Sequence, residues 1–151
     1  MKLTDILTVE QFVSRSCDGD RRAVIDGLVG ELARKGRIQP GDVLPVSIAV
    51  QNREATSSTG IGNGIAIPHA NVSCVTEIVA IAARLTPPVD FLALDKQPVS
   101  FCVLFLSPKG QAPQHLQFLS MLARFFSNKN NRTRLKAATT PAEMLAAFRD
   151  A

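Results

Sequence analysis

The chain has 151 residues, 46% hydrophobic and 20% charged, which is enough for one domain with a packed core and too apolar for a disordered segment. No apolar run approaches the ~18–20 residues that cross a membrane, and Lys2, Asp5 and Glu10 interrupt the region where a signal peptide needs an apolar core, so the expected location is the cytoplasm. The net charge of +4 invites a nucleic-acid reading, but the cations fall into two groups (Arg21 to Arg37 and Lys129 to Lys136) with no interleaved aromatic, which predicts two solvated helix faces and no nucleic-acid partner.

The first sixteen residues read as a lead-in with a short strand around Phe12–Ser14. Asp18 or Asp20 is a predicted cap for a helix reaching about Lys35. Its apolar stripe is Val24, Ile25, Leu28, Val29 and Leu32, and Gly36 is a natural stop. A second helix is predicted over about Val46–Arg53. Pro40 and Pro45 crowd its start, and Pro45 is tolerated only in a first turn or at a kink. The glycines at 60, 62 and 64 read as a flexible loop feeding a short strand, Ile65–Ile67. Pro68 forces extended backbone on the residue before it and fixes the chain entering His69, placing that imidazole at a strand end. The apolar runs Ile78–Leu85 and Val99–Leu106, bounded by Pro87, Pro88, Pro98 and Pro108, read as strands buried on both faces. Gln114–Ser127 reads as a helix with Pro113 in its first turn and Phe118, Leu119, Leu122, Phe125 and Phe126 facing inward. The capping-box pattern Thr140-Pro141-Ala142-Glu143 opens a last helix ending near Phe148. This alternation predicts an α/β fold whose sheet is covered by helices on both sides, with residues 1–151 forming a single domain. Cys17, Cys74 and Cys102 are odd in number and far apart, so they are expected as free, mostly buried thiols and not as a disulfide or a metal site.

The chemistry-bearing groups cluster around two histidines, the only two in the chain. The glycine run is not a P-loop, because Gly64 is followed by Ile65-Ala66 and not by Lys-Ser or Lys-Thr, and the dinucleotide fingerprint is absent too. On position alone, His69 reads equally as a satisfied structural histidine and as a reactive one. His115 falls about the third position of the Pro113 helix and on its inward stripe, near unpaired backbone N–H groups. It can donate to a phosphoryl oxygen or hold His69 in one tautomer, and a core histidine bonded to a carbonyl is the equal alternative. Arg53 can clamp a phosphate or simply sit as a cation near a helix C-terminus. Ser57, Ser58 and Thr59 offer hydroxyls just before the glycines. Asp90 and Asp95 read as loop carboxylates without a partner. No metal-ligand spacing and no Ser-His-Asp order appears, so neither a metal nor another cofactor is expected. Glycine-rich backbone, hydroxyls and a poised imidazole together point to phosphate chemistry on a histidine.

The residues Ser58-Thr59-Gly60-Ile61-Gly62-Asn63-Gly64-Ile65-Ala66-Ile67-Pro68-His69 carry a resemblance to a known family. Arg53-Glu54, Asp95-Lys96-Gln97-Pro98-Val99, His115-Leu116, Leu119-Ser120 and the opening Leu3-Thr4-Asp5-Ile6-Leu7 add to it. The sequence resembles the enzyme IIA family of the bacterial phosphotransferase system, in its fructose–mannitol class and closest to the nitrogen-regulatory branch, over nearly the whole chain. The resemblance implies a mixed β-sheet sandwiched between helices, the mannitol-type enzyme IIA fold. It implies that His69 accepts a phosphoryl group from a phosphohistidine on the small carrier HPr or its nitrogen-branch counterpart. It further implies that His115 supports the phosphorylated ring, and that Arg53, Ser58 and Thr59 form the phosphoryl-binding rim. Ser57 and Ala70 stand where the family usually has glycine, both at the edge of the site. The unusual stretch Pro40–Pro45 predicts a shorter or kinked helix before Arg53. Downstream, the resemblance leaves two readings, a phosphorylation-dependent regulator of target proteins or a sugar-uptake carrier donating to the cysteine of an enzyme IIB. The nitrogen-like stretch and the lack of a fused IIB, IIC or HPr segment favour the regulator.

Overall fold

A computed structural model describes residues 1–16 and 18–149, and Cys17, expected as a free thiol, lies outside them. The strands are β1 (Phe12–Ser16), β2 (Gly60–Gly62), β3 (Ile65–Ala66), β4 (His69–Val72), β5 (Val79–Val89) and β6 (Val99–Pro108). They form one mixed sheet in the order β1-β5-β6-β3-β2, with β4 also paired to β6. β1 runs parallel to β5, β5 antiparallel to β6, and β6 parallel to both β3 and β4. The helices are α1 (Leu3–Ile6), α2 (Arg21–Arg34), α3 (Val43–Thr56), α4 (Ala112–Ser127), α5 (Lys129–Ala137) and α6 (Pro141–Arg149).

The period-2 alternation of β5 and β6 splits the core into two layers. Ile81, Ala83, Cys102, Leu104 and Leu106 pack with the stripes of α2 and α3. Ala80, Ala82, Phe101, Val103 and Phe105 pack with Phe118, Leu122 and Phe126 of α4 and with Leu135, Met144 and Phe148 beyond it. Both faces of the sheet are therefore covered, which is why β6 is buried from Phe101 to Pro108. The stripe expected on α2 is buried at all five positions. Its N-cap is Asp20, whose carboxylate accepts the Ala23 N–H at 3.1 Å. Gly36 adopts the left-handed conformation that stops the helix (φ 74°).

Several expectations need correction. The helix before Arg53 is neither shortened nor displaced by its prolines, because α3 spans 14 residues from Val43 to Thr56. Pro45 is its third residue, where the missing N–H has no intrahelical acceptor to lose. β5 does not end at Pro87-Pro88 but continues to Val89, with a register shift between Arg84 and Val89. Both prolines are exposed there, so no ladder bond is demanded of them. Cys74 is exposed, whereas Cys102 is buried mid-strand as expected. The solvated helix face expected around Lys129–Lys136 is, by contrast, borne out as α5. It is capped by Asn128 Oδ1, which accepts the Asn131 N–H at 3.1 Å, and anchored by buried Leu135. Among the described residues, no helix is long and apolar enough to cross a membrane.

Candidate functional site

His69 is the first residue of β4, held by Pro68 so that it pairs with Phe105 of β6 in parallel register. It therefore opens a strand of its own and does not close the short strand before it. The ring is 7% exposed and stacks on Phe105, with centroids 5.2 Å apart and planes 18° from parallel. His69 Nδ1 lies 2.7 Å from the Ile67 carbonyl oxygen. A carbonyl can only accept, so Nδ1 carries the proton and donates it. The lone pair of the neutral ring is left on Nε2.

His115 is the fourth residue of α4 and faces inward at 9% exposure. Its ring lies 5.1 Å from that of His69, edge-on at 64°, and 5.0 Å from that of Phe105. Its Nδ1 is 2.5 Å from Ser107 Oγ. Ser107 donates its own proton to Asn71 Oδ1 at 2.6 Å, so His115 Nδ1–H donates to the serine oxygen. The backbone N–H of His115 is already bonded to the Gln111 carbonyl.

Arg53, near the end of α3, is half-buried and donates from Nη1 to the Ser57 carbonyl at 2.8 Å. Its charge reaches both imidazoles and disfavours protonation of each. Burial is the larger cause and pushes His69 down to about 4, against the opposing pull of the Ile67 hydrogen bond, while His115 itself adds a small further depression. Burial first, then Arg53, also lowers His115. Both rings are thus held neutral near pH 7, the state in which imidazole is a nucleophile.

The expected rim residues are placed close in sequence but turned to other partners. Ser58 Oγ donates to the Phe91 carbonyl and accepts the Gly60 N–H at 3.0 Å. Thr59 gives its backbone N–H to Glu54 Oε2 at 2.7 Å and its hydroxyl to Glu54 Oε1. The glycine run is not a flexible loop but a β2–β3 hairpin. Gly62, Asn63 and Gly64 turn at φ of 88°, 59° and 79°. Asp95, expected to lack a partner, pins that turn by accepting the Asn63 N–H at 2.9 Å and the Gln97 N–H at 3.1 Å, which lower its pKa. A Cβ on Gly62 would meet Asp95 Oδ2 at 3.1 Å, so glycine is needed there for both φ and space.

Three contributors escaped the sequence reading of chemistry. Glu54 is a buried carboxylate, 2% exposed, joining Thr59 to Arg21, whose Nη1 is 3.4 Å away. Its signal was present, since Val46, Val50 and Glu54 follow one another at helical spacing on the inward face of α3. Ser107 is the one hydroxyl in the buried stretch from Phe101 to Pro108, and that polar atom in an apolar run required a partner. Phe105 looked like ordinary core, yet it is the floor on which both imidazoles rest.

The neutral burial of His69 has a stability consequence. Its folded pKa of about 4 lies below the ordinary 6.5, so between those values the unfolded chain binds more protons than the native one. Stability falls as pH drops through 6.5 and levels off below about 4. The loss is roughly 3–3.5 kcal/mol from His69, at about 1.4 kcal/mol per pKa unit, and His115 adds to it in the same direction. Urea midpoints measured from pH 7.5 to 4 should show this decline, and His69→Gln should flatten it. An unchanged slope in that variant would contradict the neutral burial.

Comparison with known proteins finds relatives over nearly the whole chain. The profile of the family described as "Phosphoenolpyruvate-dependent sugar phosphotransferase system, EIIA 2" matches residues 5–151. The nitrogen regulatory protein of Escherichia coli (strain K12) is 36% identical over 152 residues, covering 99% of this chain and 91% of that protein. The fructose-specific EIIABC component of Bacillus subtilis (strain 168) is 33% identical over 138 residues, which is 91% of this chain and 21% of that larger protein. The crystal structure of nitrogen regulatory protein IIA-Ntr from Neisseria meningitidis superposes with a TM-score of 0.86 at 30% identity, covering 97% of this chain and 98% of that one.

Proposed function

The chain belongs to the EIIA type 2 family of the phosphoenolpyruvate-dependent sugar phosphotransferase system, and we propose that within it His69 Nε2 is the atom that accepts and later donates the phosphoryl group. The observation that carries this reading is the Nδ1–H donated to the Ile67 carbonyl, which leaves Nε2 as the lone pair of a ring held neutral by burial. The donor is a phosphohistidine on an HPr-type carrier or its nitrogen-branch counterpart, working in the cytoplasm. Its P–N bond breaks as the new bond to Nε2 forms, and the departing imidazole keeps the electron pair. Once Nε2 is bonded to phosphorus, the His69 ring carries positive charge. The Ile67 carbonyl facing Nδ1–H stabilises that charge.

His115 and Arg53 take the supporting roles. In the unmodified protein Arg53 opposes protonation of both rings. The arriving group brings roughly two negative charges, which reverses the balance. Arg53 then attracts the phosphoryl oxygens, and His115 gains a proton on Nε2 while Nδ1–H stays on Ser107. Ser58 and Thr59 act at the rim by fixing the segment that carries Arg53's acceptor, Ser57. No metal or nucleotide is needed, because transfer asks mainly for positioning and donors around the phosphoryl oxygens. Leu116 beside His115 is more than half exposed and provides apolar docking area next to the histidines, and Leu44 and Ile48 of α3 are also at least half exposed.

The downstream role is regulation of target proteins whose docking depends on the phosphorylated state of His69. The 36% identity to a nitrogen regulatory protein over nearly the full length of both chains favours it. The 33% identity to a fructose-specific component supports a second reading, donation to the cysteine of an enzyme IIB. The test is incubation with phosphoenolpyruvate, enzyme I and the HPr-type carrier, followed by mapping under alkaline conditions and nitrogen-15 NMR of the product. One acid-labile phosphoryl group on His69 Nε2 is the expected result. No transfer, or a group on another residue or on Nδ1, overturns the reading.

A further inference from the structure

A cleft of about 530 Å³ opens away from the histidine pair, between the β2–β3 turn, the adjoining parts of β5 and β6, and α5. Arg84, Lys129, Arg132 and Lys136 all line it. Among the described residues, no carboxylate does. Four positive charges thus face one concavity in a chain whose whole net charge is +4.

Helix capping accounts for only part of this arrangement. Arg84 Nη2 donates to the Leu135 and Lys136 carbonyls at 2.8 and 3.3 Å, and Arg132 Nη1 donates to the Phe126 and Ser127 carbonyls at 2.9 and 3.1 Å. The helix ends therefore fix both guanidinium groups in place. Yet Arg84 Nε is buried and has no hydrogen-bond partner among the described residues, a donor in need of an acceptor. Lys129 is the first residue of α5, where the helix dipole disfavours a cation. Lys129 and Lys136 enter no ion pair among the described residues, and both are exposed at the rim. Fixed guanidinium groups, two exposed lysines and the Thr133 hydroxyl supply donors above an apolar floor that includes Phe101.

From these observations we infer that the cleft binds a small polyanion carrying at least two clustered phosphoryl or carboxylate groups. A single negative charge would leave most of the four cations unpaired. Nucleic acid fits less well, because the charge is gathered in one concavity and Phe101, the only aromatic lining it among the described residues, is 4% exposed and offers no stacking platform. Phe101 and Phe105 lie four residues apart on β6, roughly 13 Å at about 3.3 Å per residue. The cleft is accordingly a second site and not an extension of the first.

Calorimetric and NMR titration of the full chain with pyrophosphate, ATP and citrate tests the inference, alongside a double variant, Lys129→Ala with Lys136→Ala, and a 20-nucleotide RNA as competitor. The expected result is saturable 1:1 binding of at least one small probe, with shifts at Arg84 and along α5. Affinity should fall about tenfold or more in the double variant, with unchanged phosphorylation of His69. Preference for pyrophosphate or ATP assigns phosphoryl groups, and preference for citrate assigns carboxylates. Lack of saturation at millimolar probe, undiminished binding by the double variant, shifts centred on His69, or tighter binding of the RNA than of any small probe would each overturn it.

Discussion

His69→Gln should accept no phosphoryl group from the carrier, while His115→Gln should still be modified on His69 at a rate lower on the order of 10²-fold, the usual loss when one donor to a developing charge is removed. The asymmetry follows from what each ring offers. Both rings hold a proton on Nδ1 and leave a lone pair on Nε2, but the proton of His69 is held by a main-chain carbonyl, a strong acceptor for the positive ring that phosphorylation creates. His115 is anchored through the neutral hydroxyl of Ser107, a weaker acceptor for a positive ring, and its role is to serve a group bonded next to it on His69. Single-turnover transfer monitored on Phos-tag gels at alkaline pH measures both variants. The same experiment separates support from mere structure, because a supporting His115 predicts a steeper pH dependence in wild type than in His115→Gln. Equal rates in wild type and His115→Gln would remove His115 from the mechanism.

Phe105→Ala should be the most damaging substitution for stability that also bears on the site, at about 3–5 kcal/mol, the range for deleting a buried ring. Phe105 is fully buried and meets Phe118 edge-on at 4.9 Å as well as the two imidazoles. Removal leaves a cavity directly beneath His69. Water entering it weakens the desolvation that holds the ring well below its ordinary pKa. The expected result is therefore double, a lower urea midpoint and a His69 titration moved up from about 4 toward 6.5. Histidine ring-proton NMR reads the second effect. Phe105→Leu should restore much of the stability, and a His69 titration unmoved in Phe105→Ala would show that Phe105 is packing and nothing more.

The parts of this molecule that were legible in the sequence are those where a single periodicity dominated. The stripes of α2 and α4, the continuous apolar runs of β5 and β6, and the Thr140–Glu143 cap each carry their own signal. The parts that were not legible depend on partners distant in the chain. β4 is a four-residue strand with a histidine and an asparagine in it, extended only because β6 supplies its ladder. α5 is polar around most of its circumference and borrows stability from the Asn128 cap and from Arg84, far off on β5. The site divides the same way. The two histidines stood out because there are only two, whereas Glu54 and Ser107 matter through burial, which a sequence does not print. The glycine run misled in a specific manner. Its positive φ values serve the hairpin turn and the approach of Asp95, so a loop that looked mobile is tied down.

The acceptor that fixes the His69 proton is a main-chain carbonyl two residues upstream. A side chain in that position could be lost by a single base change, taking the choice of tautomer with it. A carbonyl is present whatever residue occupies position 67, provided the strand keeps its path. Genetic drift can therefore rework the lining of this pocket, its partners and its charge, and leave untouched the one instruction that says which nitrogen is free.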